Sequence, residues 1–405
     1  MPTPIIAFSK DWHEDHTSNH HVLRELAKTR RVLWLNSLAT RKPDLSSARD
    51  VGKIKRKLRE FVKGAVNVEN DLWVATPLVL PLPQSTVAVK LNRQILRWTI
   101  QALRAQLGIK KFQLWTFLPN TAPYVGTLGE DLAVYYCVDE WATFAGLDRE
   151  GTIAMERALL ERVDATFTTS LALAEKKRAV CRNTFLAPHG VDAEKFQRAL
   201  DPQVEVPADL AALPGKKIGF FGTLRDFLDY DLMAHIAKAR PDWSIALIGQ
   251  EMCDIGPLRG LPNVHLLGQK KHDELPAYCK GFDVGLIPYR IDNEVKFINP
   301  LKLREYLSAG LPVVSTDMPE VQPYAHLCHI GQTYDDIVAA CERALQEGSP
   351  EQRARRAKSM DSETWQARVA ATMRTVEQFE ARKQQTAHDD LIGAFPVFGE
   401  VAVAR

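Results

Sequence analysis

The stretch NPLKLREYLSAGLPVVSTDMPE (residues 299–320) predicts a helix that leads directly into a buried strand. Pro300 suits the first turn of a helix, because its missing N–H would have no partner there in any case. Gly310 is placed to end the helix, and the apolar run PVVS that follows is typical of a strand in a parallel sheet. A helix joined to such a strand belongs to an α/β fold.

The same alternation extends in both directions along the chain. Apolar runs separated by helical stretches indicate parallel sheets covered by helices on both faces. These runs are PIIAFS (3–8), RVLWLN (31–36), LWVAT (72–76), FQLWTF (112–117), LAVYYCV (132–138), ATFTTS (165–170), KIGFFG (217–222), WSIALIG (243–249), VHLLG (264–268), FDVGLIPY (282–289) and PVVST (312–316). The sequence therefore predicts an α/β protein with two doubly wound, Rossmann-like domains that face each other across a cleft.

The proline-rich stretch 202–217 interrupts this alternation and is interpreted as the interdomain connection. We accordingly expect the first domain over residues 1–200 and the second over 201–362. A polar helix over 363–385 is expected to pack back toward the first domain, followed by a loosely attached tail over 386–405.

The composition limits the function classes. The chain has 405 residues with 52 Lys or Arg and 50 Asp or Glu, a net charge of +2 that argues against a dedicated nucleic-acid binder. Its six cysteines are scattered without a CxxC pair, which is typical of a reducing compartment. No long apolar window indicates a spanning helix, and the N-terminal residues do not resemble a signal peptide. The expected location is cytoplasmic, with the inner face of the cell membrane as a possible peripheral site.

Two positions in the second domain suit a diphosphate. Lys302 falls in the first turn of the predicted helix, where free amides, the helix dipole and a cation converge, and Glu305 lies one turn further, placed to accept bonds from ribose hydroxyls. The alternative is a lysine and a glutamate on a solvated helix face. Gly222, Thr223 and Arg225 follow the strand KIGFF, where glycine permits close backbone approach and arginine supplies a permanent cation. The alternative there is an ordinary surface turn.

These segments together resemble retaining nucleotide-sugar glycosyltransferases of the GT-B fold, in particular family-4-like enzymes of bacterial polysaccharide and teichuronic-acid assembly. The resemblance covers PLKLREYLSAGLPVV, FFGTLRDFLDYDLM (220–233), NVHLLGQKKHDELPAYCKGFDVGLIPY (263–289) and APHGVDAEKF (187–196). It is dense over about 185–320 and thin before that. The commoner family signature is Glu-x7-Glu, and here Phe297 stands at its first position.

The resemblance implies a hexosyltransferase that moves a sugar, with retention, from a UDP- or GDP-sugar co-substrate to an acceptor that is a free or a lipid-linked saccharide. No metal and no tightly bound cofactor is implied. Gly222, Thr223, Arg225, Lys302 and Glu305 would bind the nucleotide sugar. Arg225 and Lys302 would also be catalytic, because fixed cations can stabilise the charge that develops on the leaving phosphate.

The acceptor is expected on the first domain. Trp12 and His20 lie in KDWHEDHTSNHH (10–21), interpreted as an active-site loop; a metal site on its four histidines or a plain surface loop are the alternatives. Asp139 ends the strand YYCVDEW with Glu140, and carboxylates at such strand ends should point into the cleft. Asp139 is therefore a third candidate catalytic residue, as a proton acceptor for the acceptor hydroxyl. A helix-capping or turn aspartate is the alternative.

Residues 41–63 carry nine Lys or Arg against three Asp or Glu, with apolar residues at helical spacing. A basic amphipathic helix of this kind could lie on an anionic membrane through residues 50–63, or it could cover the sheet and expose a solvated basic face. Two rival functions also remain open. They are a sugar-nucleotide epimerase on the same architecture and a catalytically inactive nucleotide-binding scaffold, the latter suggested by Phe297. The sequence does not indicate the sugar, base, linkage or oligomeric state.

Overall fold

The computed structural model of the protein describes residues 2–14, 17–38, 46–82, 85–144 and 146–393. The strands of the first domain are β1 (Ile5–Phe8), β2 (Val32–Leu35), β3 (Val66–Glu69), β4 (Leu72–Ala75), β5 (Gln113–Thr116), β6 (Leu132–Cys137), β7 (Ala165–Thr168) and β8 (Thr184–Leu186). Its helices are α1 (Ser18–Ala27), α2 (Ala48–Val62), α3 (Thr86–Leu107), α4 (Arg149–Leu160) and α5 (Leu171–Arg178). The strands form one sheet in the order β3-β4-β2-β1-β5-β6-β7-β8, parallel except for β3.

The second domain repeats this plan. Its helices are α6 (Ala193–Gln197), α7 (Ala208–Ala211), α8 (Tyr230–Ala239), α9 (Leu275–Gly281), α10 (Leu301–Ser308), α11 (Tyr334–Ala344) and α12 (Pro350–Lys358). Its strands are β9 (Lys216–Phe221), β10 (Trp243–Ile248), β11 (Val264–Leu266), β12 (Val284–Ile287), β13 (Val313–Thr316) and β14 (His329–Gly331), in the order β11-β10-β9-β12-β13-β14 and all parallel. The predicted fold class, two Rossmann-like α/β domains, is confirmed.

The first sheet separates two apolar layers. Ile6 and Phe8 belong to one cluster and Ile5 and Ala7 to the other, as the two-residue period of a strand covered on both faces requires. α3 fills the first layer, and α1 fills the second. The second domain has its own continuous core around β9 and β12. No described helix has the length and apolarity needed to cross a bilayer.

A final helix, α13 (Trp365–Gly393), belongs to the first domain's core although it follows the second domain in the chain. Its buried side chains recur at helical spacing and pack against α1. They are Trp365, Val369, Met373 and Val376. The segment predicted as a tail from residue 386 continues this helix as far as Gly393, and residues 394–405 lie outside the described residues.

The interdomain crossing differs from the expectation. Residues 202–217 do not span the domains, because Leu210 is buried in the second core and Asp209 accepts a bond from the Tyr278 hydroxyl at 3.0 Å. Residues 191–200, which the predicted boundary assigns to the first domain, also contribute to that core through Val191, Phe196 and Ala199. The chain therefore crosses between domains just before Val191. The proline-rich segment 202–217 therefore packs against the second domain and does not connect the two domains.

Candidate functional site

A lysine from α10 lies across the carboxyl end of β9. Gly222 follows β9 with a φ of 135°, in the region that favours glycine. A Cβ added to Gly222 would lie 2.6 Å from the Nζ of Lys302, so the lysine side chain passes directly over this backbone. A side chain at position 222 would occupy the space that Lys302 uses. Gly222 therefore allows the ammonium group of Lys302 to lie at the end of β9.

The surroundings of Lys302 suit an anion. It lies in the first turn of α10, and the N-cap residue Pro300 makes no side-chain hydrogen bond to the helix amides. Across the part of the chain that the structure describes, no carboxylate comes within ion-pair distance of Lys302, whose ammonium instead lies 5.4 Å from the centre of the Phe220 ring. A cation without a counter-ion beside a helix N-terminus can bind a phosphate group.

Glu305 lies one turn further along α10 and is held by a histidine. The Nε2 of His272 is 3.3 Å from Oε1 of Glu305, and its Nδ1 is 3.2 Å from the Nζ of Lys195. A lysine ammonium can only donate, so Nδ1 accepts and Nε2–H donates to the carboxylate. The His272 ring is thereby fixed as one neutral tautomer, and the second oxygen of Glu305 stays available to a ligand hydroxyl.

Arg225 and Asp139 belong to different domains, yet the charge of Arg225 acts on the carboxyl of Asp139. Arg225 is exposed after β9, while Asp139 lies half-buried just beyond the end of β6. Loss of bulk water around its carboxyl raises the pKa of Asp139 to about 7, although the positive charge of Arg225 acts to lower it. Two predicted site residues from different domains are therefore coupled by charge, Arg225 of the second domain and Asp139 of the first.

Glu140 does not point into the cleft as the sequence led us to expect. Its carboxylate is buried and lies 3.1 Å from the Nζ of Lys177 and 2.9 Å from that of Lys176. Burial acts to raise the pKa of Glu140, but the two lysines outweigh it and the pKa is lowered. The carboxylate turned inward because a buried lysine, which also pairs with Glu156 at 2.6 Å, needs counter-charges. Of the two adjacent carboxylates, Asp139 is the one on which the charge of Arg225 from the second domain acts.

Sequence comparison assigns the domain that carries Lys302 and Glu305. Residues 215–347 match the family described as "Glycosyl transferases group 1". The match lies within the second domain, which we call the group 1 domain. The chain is also 28% identical over 258 residues to a putative teichuronic acid biosynthesis glycosyltransferase, TuaH, of Bacillus subtilis. That match covers 59% of this chain and 64% of the relative, so it spans less than two thirds of the relative's length.

Solved structures extend the likeness to the whole fold. A sucrose-phosphate synthase from Thermosynechococcus elongatus superposes with a TM-score of 0.65 at 16% identity, covering 94% of this chain and 100% of that one. Anabaena HepE, in complex with UDP and glucose, gives a TM-score of 0.62 at 12% identity over 91% of this chain and 98% of that one. The group 1 domain and the first domain together therefore form a GT-B fold.

Phe297, which stands at the first position of the Glu-x7-Glu signature, contacts the first domain in this structure. Its ring packs against the core of the first domain. The ammonium of Lys176 on α5 lies 5.4 Å from the ring centre, which adds a cation–π contact between the domains. Phe297 thus contributes a contact between the two domains, and it presents no carboxylate at this position.

On the acceptor side, Trp12 and His20 contact each other, with ring centres 5.2 Å apart. His20 is fully buried; its Nδ1 accepts from the Thr17 N–H at 3.3 Å and its Nε2 donates to the Trp12 carbonyl at 3.1 Å. Both ring nitrogens are therefore used by the backbone, and His20 braces the loop that carries the half-buried Trp12. Direct acceptor contact stays a prediction for Trp12 and does not fit the geometry of His20.

The histidine-rich loop gives no metal centre among the described residues, and His16 lies outside them. His21 instead stacks on Trp365 with ring centres 4.8 Å apart and lies 6.4 Å from the His272 ring. The group 1 domain thus meets the first domain through His21 of the histidine-rich loop and His272, which the sequence did not single out. His272 and Lys195 are 77 residues apart, and no local spacing indicates that they converge on Glu305.

Proposed function

We propose that the protein is a nucleotide-sugar-dependent glycosyltransferase that moves a hexose, with retention of configuration, to a saccharide hydroxyl. The observation that carries this proposal is the ammonium of Lys302, held over Gly222 beside the N-terminus of α10. Anabaena HepE forms a complex with UDP and glucose, and the Bacillus subtilis relative is named for teichuronic acid biosynthesis. These names support a UDP-sugar donor and a role in cell-surface polysaccharide synthesis.

The donor's diphosphate would lie between Lys302, Arg225 and the backbone at Gly222 and Thr223. Transfer breaks the bond between the anomeric carbon and the phosphate oxygen, and the electron pair of that bond goes to the phosphate. Two fixed cations and the amides of a helix N-terminus stabilise this charge. Removing one such preorganised donor typically lowers turnover by a factor on the order of 10²–10³.

Glu305 would bind the ribose of the donor. Its Oε1 accepts from His272, which leaves Oε2 to accept from a ribose hydroxyl. Since His272 is itself held by Lys195, the carboxylate is oriented before the ligand arrives. This contact is far from the reacting bond, so it contributes to donor binding in the ground state and the transition state alike.

The acceptor hydroxyl would attack the anomeric carbon on the face from which the phosphate departs, with Asp139 taking its proton. A carboxyl whose pKa is about 7 is well matched to this role at neutral pH. No second carboxylate is needed, because attack on the same face involves no covalent enzyme intermediate. Closure of the two domains would keep water away from the donor.

A catalytically inactive nucleotide-binding scaffold is the second candidate, and it is favoured by Phe297. This side chain packs on the first domain, where related enzymes commonly have a glutamate beside the donor sugar. The two candidates differ in one product. A transferase releases nucleoside diphosphate from its donor in the presence of acceptor, whereas a scaffold leaves the donor intact.

The test is a thermal-shift panel of UDP-, GDP-, ADP-, CMP- and dTDP-sugars, followed by an assay of nucleoside diphosphate release. A donor at 100 times its dissociation constant should add about 2.7 kcal/mol of stability. Lys302→Ala and Glu305→Ala should abolish the shift given by the preferred donor. Lys238→Ala, which removes an exposed lysine of α8 in the same domain, is the matched control and should keep it.

The outcomes separate the candidates. A shift that is lost in both site variants, together with nucleotide release, supports the transferase. A shift without release in the presence of saccharide or lipid-linked saccharide acceptors favours the scaffold. A shift that survives in Lys302→Ala and Glu305→Ala would contradict the assignment of the site.

A further inference from the structure

Helix α2 is docked on the first domain by its polar side. Arg56 Nη2 lies 3.1 Å from Oδ2 of Asp11, and the Nζ of Lys57 lies 3.2 Å from Oδ1 of the same nearly buried carboxylate. On the same side, Glu60 Oε2 accepts from the Thr76 hydroxyl at 2.8 Å. The polar side of this amphipathic helix is thus the side that contacts the protein.

The apolar side of α2 consequently faces solvent. Val62 is 84% exposed, Leu58 47% and Phe61 38%. A helix that covers a sheet has the opposite orientation, with apolar side chains inward and charges outward. The apolar surface formed by Leu58, Phe61 and Val62 is therefore largely uncovered among the described residues, while Val51 and Ile54 are half-buried.

A second exposed apolar surface continues from α2. Leu80 and Leu82 are exposed after β4, and the stripe continues on α3 with Val87, Leu91 and Trp98, which are 66%, 51% and 63% exposed. Spacings of four and seven residues put these α3 side chains on one face of the helix. Thr76 bonds to α2, and Leu80 bonds through its N–H and carbonyl to Asn92 of α3, so the two surfaces are linked.

Positive charge surrounds this surface. Residues 46–63 include seven Lys or Arg and two Asp or Glu. On α2, Lys55 and Arg59 are exposed beside the apolar face, while Glu60 is turned inward toward Thr76. α3 adds the exposed Lys90 and Arg97. Exposed apolar side chains with a basic border are the combination that binds an anionic lipid surface.

We propose that this α2–α3 surface (Leu58, Phe61, Val62, Leu80, Leu82, Val87, Leu91 and Trp98 with their basic neighbours) docks the protein on an anionic lipid bilayer. A second copy of the chain fits poorly, because a two-fold contact would bring the same basic border to both sides of the interface without acidic counterparts among the described residues of this surface. The docked side of α2 is fixed to Asp11, which follows β1 at the carboxyl end of the first sheet. The bilayer would therefore lie beside the acceptor side of the cleft.

Flotation with vesicles tests the surface without reference to the donor site. The full-length protein should float with vesicles of phosphatidylcholine and phosphatidylglycerol at 7:3, but not with phosphatidylcholine alone. Each basic side chain near an anionic surface contributes about fivefold to partitioning. Lys55→Gln/Arg59→Gln should therefore weaken binding about 25-fold. Lys238→Gln/Lys358→Gln, an equal charge change on exposed lysines of the second domain, should have no effect.

The apolar contribution is tested separately by Phe61→Ser/Val62→Ser. This variant should lose binding even at low ionic strength, whereas Leu266→Ser, at a 43% exposed leucine of the second domain, should bind normally. Circular dichroism and nucleotide-induced thermal shifts check that the variants fold and keep the donor site. Absence of flotation overturns the proposal. So does flotation that neither double variant weakens, or a dimer in light scattering that Phe61→Ser/Val62→Ser dissociates.

Discussion

At the scale of single residues, two adjacent carboxylates at the end of β6 have opposite environments. Glu140 is ionised and paired with the buried Lys177 and the exposed Lys176, while Asp139 has lost much of its water and has only the charge of Arg225 to favour ionisation. A large difference between the pKa values of two neighbouring carboxyl groups is a common feature of acid–base sites. Here these pKa values distinguish a carboxylate paired with lysines from the one that we propose as the proton acceptor.

We expect Asp139→Asn to lower turnover by a factor on the order of 10²–10⁴, because it removes the proposed proton acceptor. In the wild type, kcat/KM should rise with pH through a midpoint near 7, where the carboxyl ionises. The variant should lose this midpoint. Asp148→Asn, at an exposed aspartate before α4, is the control for general effects. An Asn variant that keeps the pH profile would show that another group takes the proton.

The same substitution should affect stability with a defined sign. Burial raises the folded-state pKa of Asp139, so its ionisation destabilises the fold, and the loss grows as pH rises from about 4 to about 7. Asp139→Asn should therefore be more stable than wild type at pH 8 and nearly equal to it at pH 4. The expected difference is on the order of 2 kcal/mol, allowing for contact with cleft water. Thermal unfolding at the two pH values measures it.

Single residues were predictable where local pattern alone determines the role. The positions of Lys302 and Glu305 on successive turns of α10 follow from helix start and spacing, which depend on neighbouring residues only, and their roles stay predictions. His272 was not predictable, because it lies in a charged loop whose composition is typical of solvent exposure. Its role depends on Lys195 and Glu305 arriving from two other elements. Convergence of this kind is set by packing.

At the scale of elements, α5 of the first domain is capped by a carboxylate of the second. Oε1 of Glu320 accepts from the Leu171 N–H at 2.7 Å, and its Oε2 accepts from Asn299 at 3.1 Å. Asn299 also donates to the carbonyl of Thr169 at 2.7 Å. A negative charge at a helix N-terminus is stabilising, so this contact fixes the orientation of α5 relative to the second domain.

Glu320→Ala should lower the free energy of unfolding by about 1 kcal/mol, the usual value of a helix cap. The midpoint of thermal unfolding measures this. Glu150→Ala, at an exposed glutamate in the first turn of α4, is the matched control and should cost less than about 0.5 kcal/mol. Equal effects of the two variants would mean that the cross-domain contact adds nothing to ordinary helix electrostatics.

Some strands and helices were predictable from the sequence, and others were not. Most strands and the helix α10 were predicted, but the antiparallel edge strand β3 and the short strands β8 and β14 were not. Periodicity predicted α2 as amphipathic and did not indicate which side faces the protein. That orientation follows from Asp11, whose buried carboxylate is paired with lysine and arginine side chains of α2. A pairing between distant residues reversed the usual orientation.

At the scale of the whole molecule, two chain crossings pair with each other between the domains. The Val191 N–H donates to the Glu363 carbonyl at 3.0 Å, and the Trp365 N–H donates to the Val191 carbonyl at 3.3 Å. Gly190 lies against this pairing. A Cβ added there would lie 2.5 Å from both the amide N and the Cα of Trp365. The crossings can pair so closely because residue 190 has no side chain.

Gly190→Ala should therefore push the two crossings apart and change how the domains face each other. We expect a loss of about 1–3 kcal/mol in stability, the range for overpacking a close contact. Turnover should fall while the donor's dissociation constant is unchanged, because Lys302 and Glu305 both lie on the second domain. Calorimetry, donor titration and small-angle scattering measure the three effects.

Gly348→Ala is the control, since an added Cβ there meets no atom within 4 Å. It should leave stability, turnover and scattering unchanged. If Gly190→Ala also leaves stability, turnover and scattering unchanged, the two crossings accommodate the added methyl group without moving the domains. Their pairing then does not set the width of the cleft. If stability falls but turnover holds, the pairing contributes to folding only. A loss of turnover at constant donor affinity would instead mean that alignment of Asp139 with the group 1 domain limits the reaction.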